Sequence, residues 1–78
     1  MYILIEHNGT EEGLKIASVI QEHAEYERGY SCEQVVGYDS PVTIYSESMQ
    51  PIATFNSSPS AEDLNFYFNT VNEDGEDK

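Results

Sequence analysis

Apolar positions along the chain change their spacing several times, and each change marks an element. Tyr2-Ile3-Leu4-Ile5 is a continuous apolar run, the pattern of a strand buried on both faces. The turn former Asn8-Gly9 follows, and then Thr10, a helix N-cap residue type. Glu11 and Glu12 fall in the first turn, where the helix dipole favours anions. At about 100° per residue, Ile16, Ala17, Val19, Ile20, His23 and Ala24 share one broad face, with Gly13 on the same side. Glu11, Ser18, Glu22 and Glu25 lie opposite, with Lys15 at the margin. A helix over 11–28 follows, ended by Gly29 at the C′ position.

Beyond Tyr30 the pattern shifts to short β-type runs. Val35-Val36 is bounded by Gly37 and by Asp39-Ser40-Pro41. Val42-Thr43-Ile44-Tyr45 alternates, and Ile52-Ala53-Thr54-Phe55 is its hairpin partner across Ser48-Met49-Gln50-Pro51. A second helix starts either from Ser58 as N-cap with Pro59 at N1, or from Ser60 with Asp63 three residues on. It runs to Val71, with Ala61, Leu64, Tyr67, Phe68 and Val71 on one face and Phe66 pointing away. The expected fold is α+β: a mainly antiparallel sheet of three or four strands with two helices on one face, in the order β-α-β-β-β-α. Residues 1–71 form the single domain, and 72–78 are expected as a flexible acidic tail.

Composition adds one strong signal. Fifteen acidic residues oppose three basic ones, Lys15, Arg28 and Lys78, for a net charge of −12 in 78 residues. Such an excess repels nucleic acid and anionic membranes and attracts basic surfaces. Solubility or adaptation to high salt is the plainer explanation of the same acidity. No window is apolar for long enough to span a membrane. The N-terminal hexapeptide has no basic n-region, so no export signal is expected. Cys32 is the lone cysteine, which rules out an intrachain disulfide and fits a reducing compartment. A cytoplasmic location is the expectation. The sequons at Asn8 and Asn56 are read as chance.

Little in the chain points to catalysis. His23 sits on the apolar helix face, where a packed, hydrogen-bonded histidine is expected. A Cys32–histidine nucleophile pair would need His7 or His23 brought beside the thiol in space. Two histidines and one cysteine at no ligand-like spacing argue against zinc. Asn72-Glu73-Asp74-Gly75-Glu76 resembles a calcium loop only faintly, with its glycine misplaced. An anion site at the first helix is opposed by Glu11 and Glu12. No catalytic residue, metal or cofactor is assigned, and the protein is read as a non-enzyme.

The acidic residues and aromatics remain. Glu11, Glu22 and Glu25 mark the outer face of the first helix, and Glu62 and Asp63 open the second. Tyr26, Tyr30 and Phe66 offer apolar area with, for tyrosine, a polar tip suited to interfaces. These eight are the candidate partner-binding residues. In length, acidity and lack of a catalytic motif, the chain resembles small phage-encoded inhibitors of the anti-CRISPR and anti-restriction type, many of them DNA mimics. That resemblance spans the whole chain and implies an inhibitor of a host defence or DNA-handling complex. It would occupy a basic, nucleic-acid-binding protein surface without binding nucleic acid itself. The alternative is a small interaction or assembly module, homodimeric through a sheet edge or Phe66, whose acidity serves solubility alone.

Overall fold

The computed structural model describes residues 2–37 and 42–75, the last five as helical backbone. The elements are β1 (Tyr2–His7), α1 (Glu11–Glu22) continued by a π-helical segment (His23–Glu27), β2 (Ser31–Val36), β3 (Val42–Tyr45), β4 (Pro51–Phe55) and α2 (Ala61–Gly75). The expected turn at Asp39-Ser40-Pro41, Tyr38, the side chain of Val71 and residues 76–78 lie outside the described residues.

Local chemistry accounts for the helix ends. Thr10 caps α1 by accepting a hydrogen bond from the Gly13 N–H at 3.0 Å. Ser60 caps α2 in the same way, its Oγ accepting from the Asp63 N–H at 3.1 Å. This decides between the two starts that the sequence allows. Helix α2 runs to Gly75, through Asn72–Gly75 of the expected tail.

The first helix ends less simply. Its residues from His23 adopt π spacing, which inserts one extra residue into the turn. The reason is legible in the side chains. With α spacing, Glu27 falls seven residues after Ile20 and would follow Ile16 and Ile20 onto the buried face. The wider turn carries Glu27 out to solvent while Ala24 stays buried. Gly29 then stops the helix at φ +71°, a conformation that suits glycine. The closing bonds run from the Tyr30 N–H to the Ala24 carbonyl at 2.9 Å and from the Gly29 N–H to the Glu25 carbonyl at 3.2 Å. The first of these is one residue longer than the usual Schellman closure, as a π turn demands.

The four strands form one mixed sheet in the order β2-β1-β3-β4. This corrects the mainly antiparallel expectation. β1 and β2 pair in parallel, from Tyr2 opposite Ser31 to His7 opposite Val36. β1–β3 and β3–β4 are antiparallel. The physical reason is the crossover: α1 returns the chain to the end at which β1 began, so β2 must run the same way. β2 is also longer than the Val35-Val36 pair indicates, because its first four residues are held by pairing rather than by apolar character.

One core joins both helices to one face of the sheet. Ile3 and Ile5 of β1 and Val42 and Ile44 of β3 meet Ile16, Ala17, Ile20 and Ala24 from the first helix and Leu64 and Phe68 from α2. The α+β class and the placement of both helices on one face therefore hold. β1, however, is not buried on both faces. Ile3, Ile5 and His7 are buried, whereas Tyr2 is exposed and Leu4 and Glu6 are half-buried on the uncovered side.

Candidate functional site

The eight candidate residues do not form one surface. Glu11 sits at the N-terminal end of α1 and Glu22 eleven residues on, about 16 Å along the axis. Glu22 and Glu25 turn to different flanks. Glu25 accepts a hydrogen bond from Gln21 Nε2 at 2.9 Å, and Gln21 in turn accepts one from Gln34 of β2 at 2.6 Å. Glu25 therefore lies on the β2 side. Glu22 lies on the side of α2 and lines an open groove there.

This groove, of about 280 Å³, separates the end of the first helix from the start of α2. Val19, Leu64, Pro59 and Ala61 give it apolar walls. Glu22, Glu27 and Tyr26 stand over them, and Tyr26 is 81% exposed. Glu62 and Asp63 are exposed in the neighbouring first turn of α2. Glu27, outside the eight candidates, is a site residue, and it stands at the groove from within the π turn.

The remaining aromatics divide. Phe66 is 65% exposed and meets Tyr67 edge-on at 5.3 Å between ring centroids. Tyr30 is half-buried, with its ring edge-on to Phe68 at 5.3 Å. Its hydroxyl accepts a hydrogen bond from Arg28 Nε at 3.2 Å, so Tyr30 serves the packing of the core. Arg28 is a clasp between helices. Its guanidinium donates to Asn65 Oδ1 at 3.2 Å and Asn69 Oδ1 at 2.6 Å and lies over the Phe68 ring.

The possible nucleophile pair is not assembled. His7 is buried, and its Nδ1 accepts a hydrogen bond from the Gly9 N–H at 3.1 Å. It pairs with Val36, four residues along β2 from Cys32, or about 13 Å. His23 stacks on Phe68 and bonds Asn65 Oδ1 through Nε2 at 3.0 Å, as a packed histidine should. Burial pushes the Cys32 thiol up to about 11, and Glu25 adds to the effect. An activated thiolate needs the opposite shift. Among the described residues, no group of histidine, cysteine and carboxylate side chains is arranged to hold a metal ion. Among the described residues, no helix is long and apolar enough to cross a membrane.

The uncovered face of the sheet carries a feature that the linear sequence does not announce. Tyr2 donates to Glu33 Oε1, and Tyr45 donates to Glu6 Oε1 at 3.0 Å. These two tyrosine–carboxylate pairs flank Leu4, which lies opposite both Glu33 and Tyr45 in the strand register. The hydrogen bond to each carboxylate raises the phenol above its ordinary range. The Glu6 side chain fills the space where a side chain on residue 37 would begin, so a larger residue at Gly37 would have to displace it. Only strand pairing could reveal these partners, which are 31 and 39 residues apart.

No protein-family model, no characterised protein and no solved structure matches the chain.

Proposed function

We propose that this protein is a non-catalytic inhibitor that binds a basic, nucleic-acid-binding surface of a partner protein and occupies it in place of the nucleic acid. The reading rests on one observation. The carboxylates of the first helix, on both of its flanks, and of the first turn of α2 stand exposed to solvent, with a net charge of −12 behind them. Over the 16 Å or so from Glu11 to Glu22, duplex DNA presents about ten phosphates. Glu11, Glu12, Glu22 and Glu25, with Glu62 and Asp63 of α2, supply fewer charges than that. The protein therefore competes for a short stretch of a basic groove rather than replacing a long duplex. A phage-encoded antagonist of a host defence or DNA-handling complex, of the anti-CRISPR type and acting in the cytoplasm, fits this description.

The test begins with the partner, captured on the immobilised protein from a host extract. Binding to that partner is then measured across salt concentration and in competition with duplex DNA. Mimicry predicts that affinity falls steeply with salt, since exposed charges are screened within about 10 Å at 0.1 M. Duplex should displace the protein, and Glu11→Gln, Glu22→Gln and Glu25→Gln together should weaken binding with the fold intact. Binding that is indifferent to salt and to duplex sinks the proposal.

The Tyr2, Leu4 and Tyr45 surface favours a second reading, an interaction module whose acidity serves solubility. In that case the triple neutralisation changes little, and Leu4→Ser abolishes binding.

A further inference from the structure

We propose that the groove between the end of the first helix and the start of α2 receives an arginine side chain of the partner. The inference rests on the reading that the partner's surface is basic, and it names the contact. At about 280 Å³ the groove is smaller than the roughly 300–1,000 Å³ of small-molecule pockets and suits a single side chain. Its walls, Val19, Leu64 and Pro59, match the aliphatic stem of a long basic residue. Glu22 and Glu27 at the rim match its charge. Tyr26, 81% exposed, offers a ring face on which a guanidinium can stack.

The local field supports a cation. The carbonyls at a helix C-terminus carry partial negative charge, which cationic side chains normally offset. Here the π turn and the last turn of α1 contain no basic residue, and acidic ones stand there instead. Arg28, next in the chain, directs its guanidinium to Asn65 and Asn69. A guanidinium from outside would meet two carboxylates, the helix end and an aromatic face together. Arginine fits better than lysine, because its planar, weakly hydrated head stacks on a ring and spans two carboxylates at once. A second copy of this chain is a poor occupant, since each copy carries −12.

The test is an NMR titration of the ¹⁵N-labelled protein with N-acetyl-arginine amide, with the citrulline analogue as neutral isostere. Saturable shifts are expected at the amides of residues 22–27 and 61–64, and none with citrulline. Tyr26→Ala, at a position too exposed to carry the fold, should weaken the probe about threefold. Glu22→Gln with Glu27→Gln should remove the saturable response. No shift at the groove overturns the inference, as do shifts spread evenly over Glu11, Glu12 and Glu62, equal binding of citrulline, or variants that bind as the parent does. None of these outcomes touches the salt dependence of partner binding, so the two readings fail separately.

Discussion

The two ends of the first helix carry the same kind of side chain in opposite settings. At the N-terminal end Glu11 and Glu12 lie where the helix dipole favours anions, beneath a Thr10 cap. At the other end Glu25 and Glu27 stand in the last turn, where the dipole disfavours anions, with Glu22 one turn before them and no basic residue within the turn. Charge at the first end serves the helix. Charge at the second costs it, and a π turn is needed to keep Glu27 out of the core. A feature that opposes folding needs another explanation, and the cationic partner proposed above would supply one.

The largest expected effect concerns the flank that Glu25 faces. With its thiol at about 11 against an ordinary 9.0, Cys32 should react with a disulfide reagent at pH 8 at least about tenfold more slowly than in the urea-unfolded chain, because the loss of thiolate outweighs the greater nucleophilicity of each thiolate. Glu25→Gln should recover a small part of that rate, because desolvation is the larger cause. The folded state holds this proton more tightly, so the contribution to stability is complete below pH 9.0 and is lost as pH rises toward about 11. An unprotected thiol would place Glu25 and Cys32 differently.

Next come the clasps at the two ends. Arg28→Ala removes bonds to Asn65 and Asn69 and the stack on Phe68, and should cost about 2 kcal/mol in urea unfolding. Thr10→Ala removes the cap and should cost about 1 kcal/mol. If the order were reversed, the junction with α2 would not be what holds the second end.

What could be read from the sequence was local. Thr10, Gly29 and the face from Ile16 to Ala24 each depend on neighbours within a turn or two, and each is where its pattern placed it. The first part of β2 was hidden because Ser31, Glu33 and Gln34 carry no apolar signal, and its parallel pairing was missed although a strand, a helix and a strand joined by short links imply a parallel crossover. The site was harder to read. Helical spacing sets Glu22 and Glu25 on one outer face, but contacts with β2 and α2 divide them. Tyr30 has the composition of an anchor, yet Phe68, from a segment 38 positions away, draws it into the core. The tyrosine–carboxylate pairs of the open face depend on strand register, which no short window contains.

The smallest effect is the sharpest. Glu11→Gln/Glu12→Gln and Glu22→Gln/Glu27→Gln have the same net charge, so the general relief of self-repulsion cancels between them. Each charge in the first or last turn is worth about 0.3–1 kcal/mol, with opposite sign at the two ends, and Glu22, a turn before the end, adds less than Glu27. Thermal unfolding at low salt should therefore find the Glu22→Gln/Glu27→Gln protein the more stable by about 1 kcal/mol or more. Equal melting temperatures, or a more stable Glu11→Gln/Glu12→Gln protein, would contradict the claim that charge at the end of the first helix is held against the interest of the fold.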